Sequence, residues 1–531
     1  MVKQVVDKIS DYIGSKKSFI MLGGAGSGKT YTLMQAIDLA VKKVGASKVC
    51  CVTYTNAAVD EIKRRCPYEK LRVGTMHDML WEIISPYQKN AVTVFHSLIE
   101  SGDIKIDDEE KKKKALEVEE VQYRDYRSLE RGIFWHDDLL KIVKAMFDKY
   151  PLLLKIFADK FHYFFIDEYQ DTVDVLIDIC VRANKEHGMT VGLFGDSMQA
   201  IYEKNYKADV PIEELAKNNN FEIILKEDNF RCAKNVIELI NKLRTDLIEQ
   251  QAAGDNEDGK ITFLYSMQSK TIDEIKSNAA FSGWSWGGET KQLFLTHKLI
   301  AKELGFENYL SAFAGFDNAL AVGKEDSKRH RFTNYLFLIA RILDAYMRKD
   351  YAEVLRYCDK PIKKLADKER IAKSIEETII NLGSSCLDVV EELVKAGVLK
   401  LPNEALSTEK EKEIALLDKL KAVSLQEVLE AYRYAESMTP FSTQHNIKGL
   451  EFDNVFVYLD NGKWNDYNFT KLFSDMKTKG SDPTIFERTL KLLYVCFSRA
   501  KKNLVVYFPV PNLVVLQKAK DWFGDSNVIE M

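Results

Sequence analysis

Apolar and polar positions follow two patterns along the chain. Short apolar runs bounded by glycine or charged residues predict buried strands, as in SFIMLG, FHYFFID and MTVGLFG. The first run is followed by a glycine-rich turn and then by an amphipathic helix, with Leu33, Ala36, Ile37, Ala40 and Val41 on one face. Successive strand–helix units of this kind are typical of a parallel α/β core.

Two long stretches interrupt this pattern with almost purely helical periodicity. The two helical stretches are predicted to be insertions at 77–154 and 309–435. The first interrupts an α/β domain formed by 1–76 and 155–245, and the second interrupts an α/β domain formed by 246–308 and 436–531. After Arg231, the stretch AKNVIELINKLRTDLIEQ predicts one helix, followed by a linker. The run DDEEKKKK at 107–114 favours a solvated helix face or mobile loop, with a DNA-contacting patch as the alternative.

Composition excludes several classes of protein. The 531 residues carry 76 Lys and Arg against 80 Asp and Glu, a formal net charge of −4, so bulk charge does not hold this chain to nucleic acid. The eight cysteines show no paired spacing that suits a zinc or iron–sulfur site. The chain shows no basic flank with an apolar leader and no apolar stretch of about 18 residues, so we expect a cytoplasmic protein without membrane contact.

The turn after the first strand has the spacing GxxxxGK[ST], formed by Gly23, Gly28, Lys29 and Thr30. Glycines let successive backbone N–H groups converge on phosphates at a helix N-terminus, Lys29 neutralises their oxygens, and the Thr30 hydroxyl holds Mg²⁺. A plain glycine-rich turn is the alternative, which the strand–loop–helix context disfavours. The nucleotide-binding candidates are Gly23, Gly24, Ala25, Gly26, Ser27, Gly28, Lys29, Thr30 and Tyr31.

Acidic and amide side chains follow the next two predicted strands. Asp167 and Glu168 end the run FHYFFIDE, where a phosphate-loop protein carries its second metal-binding acid. Asp167 is therefore predicted to hold Mg²⁺ with Thr30, and Glu168 to deprotonate the attacking water. Gln199 follows the third strand as a neutral sensor of the γ-phosphate or its water.

The ordered motifs GAGSGKT, TYTNAAVDEI, GTMH, IDEYQDT, GDSMQAIY, NFR, STQHNIKGLEFDNVFV and LLYVCFSRAKKNLVV resemble the UvrD/Rep/PcrA branch of superfamily 1 helicases. The resemblance implies two RecA-like domains, each interrupted by a helical insertion, with ATP bound between them and single-stranded DNA crossing their tops. It further implies that Phe230 stacks on adenine, Arg231 reaches the γ-phosphate, and Glu451 holds the ribose. Arg499 in SRA resembles the arginine finger that stabilises the transferring phosphoryl group.

The same resemblance assigns contacts to a single strand of DNA. Hydroxyl, amide and ammonium groups hold phosphates without sequence preference, and aromatic rings stack on bases. The implied contacts are Tyr54, Thr55, Asn56, Thr75, His77, Tyr202, Thr443, His445 and Lys448. Core packing is the alternative role for the two tyrosines.

The chain also departs from the family pattern. Lys204 stands where the family commonly carries a tryptophan that stacks on a base, which removes one base-stacking platform. The second insertion is small and the sequence ends soon after the last motif, so we expect a minimal member. Compact helicases of this kind occur beside a nuclease in anti-phage systems such as Gabija, and this attribution is a hypothesis.

The motifs together predict an ATP- and Mg²⁺-dependent single-stranded-DNA translocase and DNA helicase, with the 3′→5′ polarity that the resemblance implies. Expected partners are single-stranded DNA, its junctions with duplex, and a companion nuclease or repair protein. The alternative is a DNA- or partner-regulated ATPase switch with little unwinding, which Lys204 and the small insertion favour. A phosphate-loop kinase or metabolic enzyme would leave NFR, KGLEF and SRA without roles.

Overall fold

The computed structural model describes residues 2–201, 212–286, 288–316, 319–320, 329–359, 363–399, 410–460, 466–474 and 483–531. Contacts within the chain divide it into two compact units. Unit 1 comprises residues 1–260 with 490–502, and unit 2 comprises residues 261–489 with 503–531. The segment 490–502, which carries the SRA motif, therefore packs with unit 1 although it lies near the end of the sequence.

Unit 1 alternates strands and helices. Its strands are β1 (Phe19–Gly23), β2 (Val49–Thr53), β3 (Arg72–Thr75), β4 (Gln122–Tyr123), β5 (Ile133–Phe134), β6 (Tyr163–Asp167), β7 (Thr190–Gly195), β8 (Glu222–Lys226), β9 (Asp228–Asn229) and β10 (Gln251–Ala252). Its helices are α1 (Val2–Ser15), α2 (Lys29–Val44), α3 (Asn56–Arg65), α4 (Met76–Ile84), α5 (Gln88–Glu100), α6 (Glu109–Ala115), α7 (His136–Lys149), α8 (Leu152–Lys160), α9 (Asp174–His187), α10 (Ile212–Asn219) and α11 (Lys234–Leu243).

The main sheet of unit 1 has six parallel strands in the order β3-β2-β6-β7-β1-β8. Every residue of β1, β2, β6 and β7 is buried, because helices cover both faces of a parallel sheet. One apolar core packs α1, α2 and α3 against one face, and a second packs α4, α5, α7, α8 and α9 against the other. The carboxyl ends of β6, β7, β1 and β8 are consequently neighbours at one edge of the sheet.

Helices α4–α8 form the helical stretch between β3 and β6, together with the small parallel pair β4–β5. The charged run at 107–114 falls partly on α6, whose residues 109–113 are exposed or half-buried. The Asp108 carboxylate caps this helix by accepting from the Lys111 N–H at 3.0 Å. The structure therefore agrees with a solvated helix face over this run.

Unit 2 contains a second sheet and a larger set of helices. Its strands are β11 (Lys260–Ser266), β12 (Thr290–Phe294), β13 (Phe441–Thr443), β14 (Phe452–Tyr458), β15 (Ala500–Pro509) and β16 (Val528–Glu530), of which β11 and β15 begin in unit 1. Its helices are α12 (Ile272–Lys276), α13 (His297–Leu304), α14 (Glu307–Ala312), α15 (Arg331–Met347), α16 (Tyr351–Tyr357), α17 (Leu365–Ile380), α18 (Asp388–Lys395), α19 (Glu411–Leu420), α20 (Leu425–Ala435), α21 (Phe469–Phe473) and α23 (Leu513–Phe523), while α22 (Pro483–Phe497) begins in unit 2 and ends in unit 1.

The sheet of unit 2 also has six strands, in the order β13-β12-β14-β15-β11-β16. One apolar core joins β12 and β14 to the helical stretch α13–α20, whose central helix α15 is buried along most of its length. The predicted α/β class, with two RecA-like parallel sheets each interrupted by a mainly helical stretch, is confirmed. The exact domain boundaries given above stay a prediction.

The helix predicted after Arg231 ends earlier than its periodicity indicates. It was expected to continue to Gln250, but α11 stops at Leu243, and the expected linker opens with strand β10, which pairs with β9. The side chains of Arg244 and Gln250 bind groups far away in sequence, as described below. These long-range hydrogen bonds outweigh the helical propensity of the segment.

None of the helices in the described part of the chain is both long enough and apolar enough to cross a membrane.

Gly192 in β7 is a point at which the sheet tolerates no side chain. A Cβ there would lie 2.7 Å from Phe165 Cδ1 and 2.9 Å from Phe19 Cζ, and both rings are fully buried. We expect Gly192→Ala to lower the free energy of unfolding by about 1–3 kcal/mol, because overpacking forces neighbouring side chains to shift. Chemical denaturation followed by circular dichroism measures this.

The matched control is Gly74→Ala in the edge strand β3, where a Cβ meets no atom within 4 Å. If both variants unfold at the same denaturant concentration, the packing described around Gly192 is wrong.

Candidate functional site

The glycine-rich loop leaves β1 and leads into the 16-residue helix α2. Gly26 and Gly28 have φ values of 74° and 79°, left-handed conformations that glycine adopts without strain. Lys29 is buried, and its Nζ donates to the carbonyl oxygens of Gly23 at 3.1 Å and Gly24 at 3.3 Å. A buried ammonium therefore lies over the loop at the positive end of a long helix, which is an anion-binding arrangement.

The loop also contains a buried hydroxyl that suits a phosphate. The Oγ of Ser27 is buried and has no hydrogen-bond partner among the described residues. Burying such a group unpaired costs about 1–3 kcal/mol, which a phosphate oxygen would recover by accepting from it. Thr30 is half-buried in the first turn of α2, and Tyr31 beside it is 57% exposed. The loop thus fits the phosphates of a nucleotide.

Thr30 and Asp167 are hard oxygen donors of the kind that Mg²⁺ prefers. Asp167 ends β6, is buried, and accepts from the Glu168 N–H at 3.1 Å. The described residues contain no group of three or more His, Cys, Asp and Glu side chains placed to hold a metal. Mg²⁺ at nucleotides needs no such cluster, since it takes one or two protein ligands, phosphate oxygens and waters. The two residues therefore fit this ion, and the metal assignment stays a prediction.

The backbone turns sharply at Glu168, the predicted general base. Its φ of 51° is left-handed, a strained conformation for a residue with a side chain, and such strain collects at functional sites. Gln170 fixes the carboxylate, because its Nε2 donates to Glu168 Oε2 while its Oε1 accepts from the Asp196 N–H at 3.0 Å. Gln170 is a positioning residue that the sequence analysis missed, although it lies within the motif DEYQDT.

Asp196 follows β7 and is fully buried. Burial by itself would raise the pKa of its carboxyl, but the charges of Arg244 and Lys29 and the hydrogen bond from Gln199 lower it overall. Gln199 donates through Nε2 to Asp196 Oδ2 at 2.7 Å, and its Oε1 accepts from Arg499 Nη2 at 3.3 Å. Lys29, Gln199 and Arg499 therefore share one electrostatic environment around this carboxylate.

Arg499 is fully buried within unit 1. Burial and then the positive charge of Arg231 lower the pKa of its guanidinium to about 10. Arg231 Nη1 donates to the Ser498 carbonyl at 3.4 Å, so the two cations lie close together. The negative charge of Glu168 opposes this lowering of the pKa. Arg499 therefore remains charged at neutral pH, and an added anion would relieve its repulsion by Arg231.

Phe230 lies beside the glycine-rich loop. Its backbone N–H donates to the Gly26 carbonyl at 2.9 Å, while its ring is 48% exposed. The ammonium of Lys226 lies 5.8 Å from the ring centroid. An exposed ring held against the loop suits stacking on a nucleobase. The structure therefore places Phe230 beside the loop, and its stacking on adenine stays a prediction.

The DNA candidates of unit 1 lie at the carboxyl ends of β2 and β3. Tyr54 follows β2 and is 39% exposed, and Asn56 is exposed at the start of α3. Two of the threonines have structural roles as helix caps. Thr55 Oγ1 accepts from the Ala58 N–H at 3.2 Å, and Thr75 Oγ1 accepts from the Asp78 N–H at 3.3 Å.

His77 belongs to a cluster of aromatic rings. Its ring lies 4.4 Å from that of His136, whose Nδ1 is 2.6 Å from the Tyr123 hydroxyl. Trp135 packs beside His136 at 5.1 Å and is 46% exposed. Burial and then His136 lower the pKa of His77 to about 4, so its imidazole is neutral at physiological pH. The sequence analysis missed Trp135, because a single tryptophan between two predicted elements carries no motif.

In unit 2, Thr443 ends β13 and is buried, and its Oγ1 accepts from the Asn446 N–H at 3.3 Å. His445 Nε2 lies 2.8 Å from the Tyr467 hydroxyl, and burial lowers the pKa of this histidine to about 4. Lys448 is half-buried, and Glu451 is exposed directly before β14. Thr443 lies at the carboxyl end of β13 and Glu451 at the amino end of β14, and because both strands run parallel to β12, the two residues lie at opposite ends of the sheet. The remaining DNA candidate, Tyr202, and the departure at Lys204 lie outside the described residues.

Comparison with protein families gives two overlapping matches. The model of an AAA domain matches residues 8–205, and the model of the UvrD-like helicase C-terminal domain matches residues 125–509, more than half of the chain. Among curated proteins, the Gabija protein GajB of Bacillus cereus is 25% identical, covering 98% of this chain and 97% of GajB. The ATP-dependent DNA helicase PcrA of Bacillus subtilis is 25% identical, and the match covers 42% of this chain and 37% of PcrA. A probable DNA helicase II homolog of Mycoplasma pneumoniae is 22% identical, and the match covers 91% of this chain and 81% of the homolog.

The lowered pKa of His77 predicts a pH-dependent stability. In the unfolded chain a histidine titrates near pH 6.5, so between about pH 6.5 and pH 4 the unfolded state binds more protons than the folded state. The stability contributed by this neutral imidazole is thus complete above pH 6.5 and is lost as the pH falls toward 4. We expect His77→Gln to reduce the fall in melting temperature between pH 7.5 and pH 5.0, measured by thermal denaturation.

The control is His187→Gln, which removes an exposed histidine from α9 of the same unit. Equal pH dependence in the two variants would contradict the buried, neutral state of His77.

Proposed function

Because the chain belongs to the UvrD-like helicase family, we propose that this ATP-dependent DNA helicase translocates along single-stranded DNA with 3′→5′ polarity and separates duplex ahead of it. The ATPase and helicase class follows from the family. The polarity, the coupling to strand separation and the residue roles given below are the proposal.

The proposal that ATP is bound and hydrolysed at the phosphate loop rests on one observation. A phosphate loop with a buried lysine lies in the same hydrogen-bonded environment as Asp196, Gln199 and Arg499. The guanidinium of Arg499 has a lowered pKa of about 10 because burial and Arg231 disfavour its charge. The positive charges of Arg231 and Arg499 would stabilise an incoming anion, and would do so most strongly where its charge increases in the transition state.

The proposed reaction is hydrolysis of the bond between the β- and γ-phosphates of ATP. Glu168, oriented by Gln170, accepts a proton from the attacking water. The water oxygen forms a bond to the γ-phosphorus, and the bond to the bridging oxygen breaks, so that ADP and phosphate leave. Arg231 and Arg499 offset the charge on the γ-phosphate oxygens. Thr30 and Asp167 would hold Mg²⁺, which would act as a Lewis acid on the phosphate oxygens.

The groups proposed to hold DNA suit a strand that moves. In unit 1 they are hydroxyls, an amide, the exposed ring of Tyr54 and the neutral imidazole of His77. Such groups contact phosphates and bases without reading sequence. Trp135 adds an exposed ring beside His136, and we include it as a base-stacking residue in this unit. A motor that steps along any sequence requires this kind of contact.

Similarity to GajB along nearly the whole of both chains favours a role in anti-phage defence together with a companion nuclease. A variant of this proposal is a DNA- or partner-regulated ATPase switch that unwinds little, which the small second insertion and Lys204 favour.

The first prediction for this function concerns ATP turnover. We expect single-stranded DNA to stimulate hydrolysis, and Lys29→Ala and Glu168→Gln each to lower kcat by about a hundredfold or more. The two variants are expected to differ in their affinity for nucleotide, because Lys29 binds phosphate whereas Glu168 acts on the attacking water. Lys29→Ala therefore binds a fluorescent ATP analogue weakly, and Glu168→Gln binds it as the wild type does. Steady-state turnover and fluorescence titration measure both quantities.

The controls are Lys42→Ala, which removes an exposed lysine from the same helix, and Glu186→Gln, which neutralises an exposed acid on α9. Wild-type turnover by Glu168→Gln would show that another group is the base. Turnover indifferent to single-stranded DNA would show that another partner regulates the enzyme.

The second prediction concerns strand separation. We expect a duplex with a 3′ single-stranded tail to be displaced in the presence of ATP and Mg²⁺, and a duplex with a 5′ tail to be displaced at least tenfold more slowly. Displacement of a fluorescently labelled strand measures both rates, with Lys29→Ala as the variant that removes the motor. DNA-stimulated hydrolysis without displacement of either substrate would favour the ATPase switch.

A further inference from the structure

Remote side chains hold both backbone polar groups of Ala25, a residue of the glycine-rich loop. The N–H of Ala25 donates to the Tyr494 hydroxyl at 3.1 Å. The carbonyl of Ala25 accepts from Asn229 Nδ2 at 3.1 Å and from Gln250 Nε2 at 2.9 Å. All four residues are buried in unit 1, although the partners lie 204 to 469 positions away in sequence.

The hydroxyl of Tyr494 has its hydrogen-bonding capacity filled. A phenol has one proton to donate and two lone pairs to accept with. Arg244 Nη1 donates to this oxygen at 2.5 Å, and the oxygen lies 3.1 Å from Asp196 Oδ2. Arg244 only donates, and the acceptors for the phenolic proton are the Asp196 carboxylate at 3.1 Å and Gln250 Oε1 at 3.4 Å. The shorter contact to a charged acceptor favours Asp196, and the second lone pair then accepts from the Ala25 N–H.

Asp196 and Arg244 are themselves fixed. Their side chains are 0% and 1% exposed and are joined by a bond of 2.9 Å between Arg244 Nη2 and Asp196 Oδ1. The remaining bonds of Arg244 go to Asp246, whose carboxylate accepts from the arginine Nε at 2.8 Å and Nη2 at 2.6 Å. The direction of the Tyr494 hydroxyl is therefore determined by a buried ion pair rather than by solvent.

The same carboxylate serves the groups predicted to sense the γ-phosphate. Asp196 Oδ2 accepts from Gln199 as well as from Tyr494, and Gln199 in turn accepts from Arg499. Packing adds to these bonds, since a Cβ at Gly24 would lie 2.2 Å from the amide carbon of Gln250. The shape of the loop and the position of its sensors thus depend on one set of buried contacts.

We propose that Tyr494, oriented by Asp196 and Arg244, is a positioning residue that holds the peptide group between Gly24 and Ala25 through the N–H of Ala25. The other amides of the loop then face the phosphates of a nucleoside di- or triphosphate. The N–H of Ala25 is then a structural anchor and not a phosphate ligand. The inference rests on the proposed binding of nucleotide at this loop.

The primary test is Tyr494→Phe, which removes only the hydroxyl and leaves the Ala25 N–H buried without this partner. We expect the Kd for a fluorescent ADP analogue to rise about tenfold, the range that an unpaired buried amide produces. The Kd for single-stranded DNA without nucleotide is expected to stay within twofold of wild type. Fluorescence titration and anisotropy measure the two affinities.

Tyr163→Phe is the matched control. It also deletes a buried tyrosine hydroxyl in unit 1, one that donates to the Ile13 carbonyl at 2.9 Å and does not contact the loop. A general loss of stability affects both variants, whereas the proposed role raises the nucleotide Kd only in Tyr494→Phe. Equal nucleotide affinity of the two variants would overturn the proposal.

Arg244→Lys tests the orienting role. Lysine lacks the planar fork that lets arginine donate to Tyr494 and Asp196 at once, so we expect a rise in nucleotide Kd in the same direction. Since Arg244 acts on the loop through the hydroxyl, the double variant Tyr494→Phe with Arg244→Lys should bind nucleotide no more weakly than the weaker single variant. A loss equal to the product of the two single losses would contradict this pathway.

Two further outcomes are decisive. If Tyr494→Phe does not fold, the test rests on Arg244→Lys alone. A nucleotide Kd of Arg244→Lys within twofold of wild type would then refute the positioning role of Tyr494. Lys29→Ala is titrated in parallel. Unchanged affinity of Lys29→Ala would place the nucleotide elsewhere and so refute the proposed function, whereas a loss in Lys29→Ala without one in Tyr494→Phe refutes only the role of Tyr494.

Discussion

The buried carboxylate of Asp196, at the end of the central strand β7, connects the functional groups of unit 1. It stays ionised in the interior because Arg244 and Lys29 supply opposite charge and Gln199 supplies a hydrogen bond. Removing one member of a buried pair costs about 3–5 kcal/mol, because the other charge remains without compensation. Tyr494, which also accepts from the loop residue Ala25, and Gln199, the proposed γ-phosphate sensor, both donate to this carboxylate.

The groups proposed for hydrolysis are held in place before any nucleotide arrives. Glu168 is fixed by the strained turn after β6 and by Gln170, and Arg499 is buried with Arg231 near it. Catalysis by fixed charges requires this, since groups that must reorganise during the reaction contribute less to the barrier. The half-buried Arg231 disfavours the charge of the buried Arg499, and a bound anion would offset this repulsion.

The proposed DNA contacts of unit 1 combine structural and binding roles. Thr55 and Thr75 cap helices and keep a hydroxyl at the carboxyl end of β2 and β3, and His77 is neutral because it is buried next to His136. Neutral contacts release no counterions, so we expect DNA binding through the proposed contacts of unit 1 to depend little on salt. The resemblance to GajB along nearly all of both chains is compatible with such a motor acting beside another protein.

The sequence by itself determined the class of fold and the main chemistry. Strands β1, β6 and β7 lie where continuous apolar runs predict them, because strands buried on both faces of a parallel sheet must be apolar throughout. The phosphate loop was predictable because its left-handed conformations at Gly26 and Gly28 favour glycine. Binding of phosphate favours a cation at the start of the following helix, which Lys29 provides.

Only the tertiary structure decided which distant residues support this chemistry. The helix predicted as far as Gln250 ends at Leu243, because Arg244 and Gln250 bind Tyr494 and Ala25 instead of extending α11. Nothing in local periodicity carries that information. Hydrogen bonds between residues hundreds of positions apart depend on how the strands and helices are packed, and the chain has no such packing until it folds.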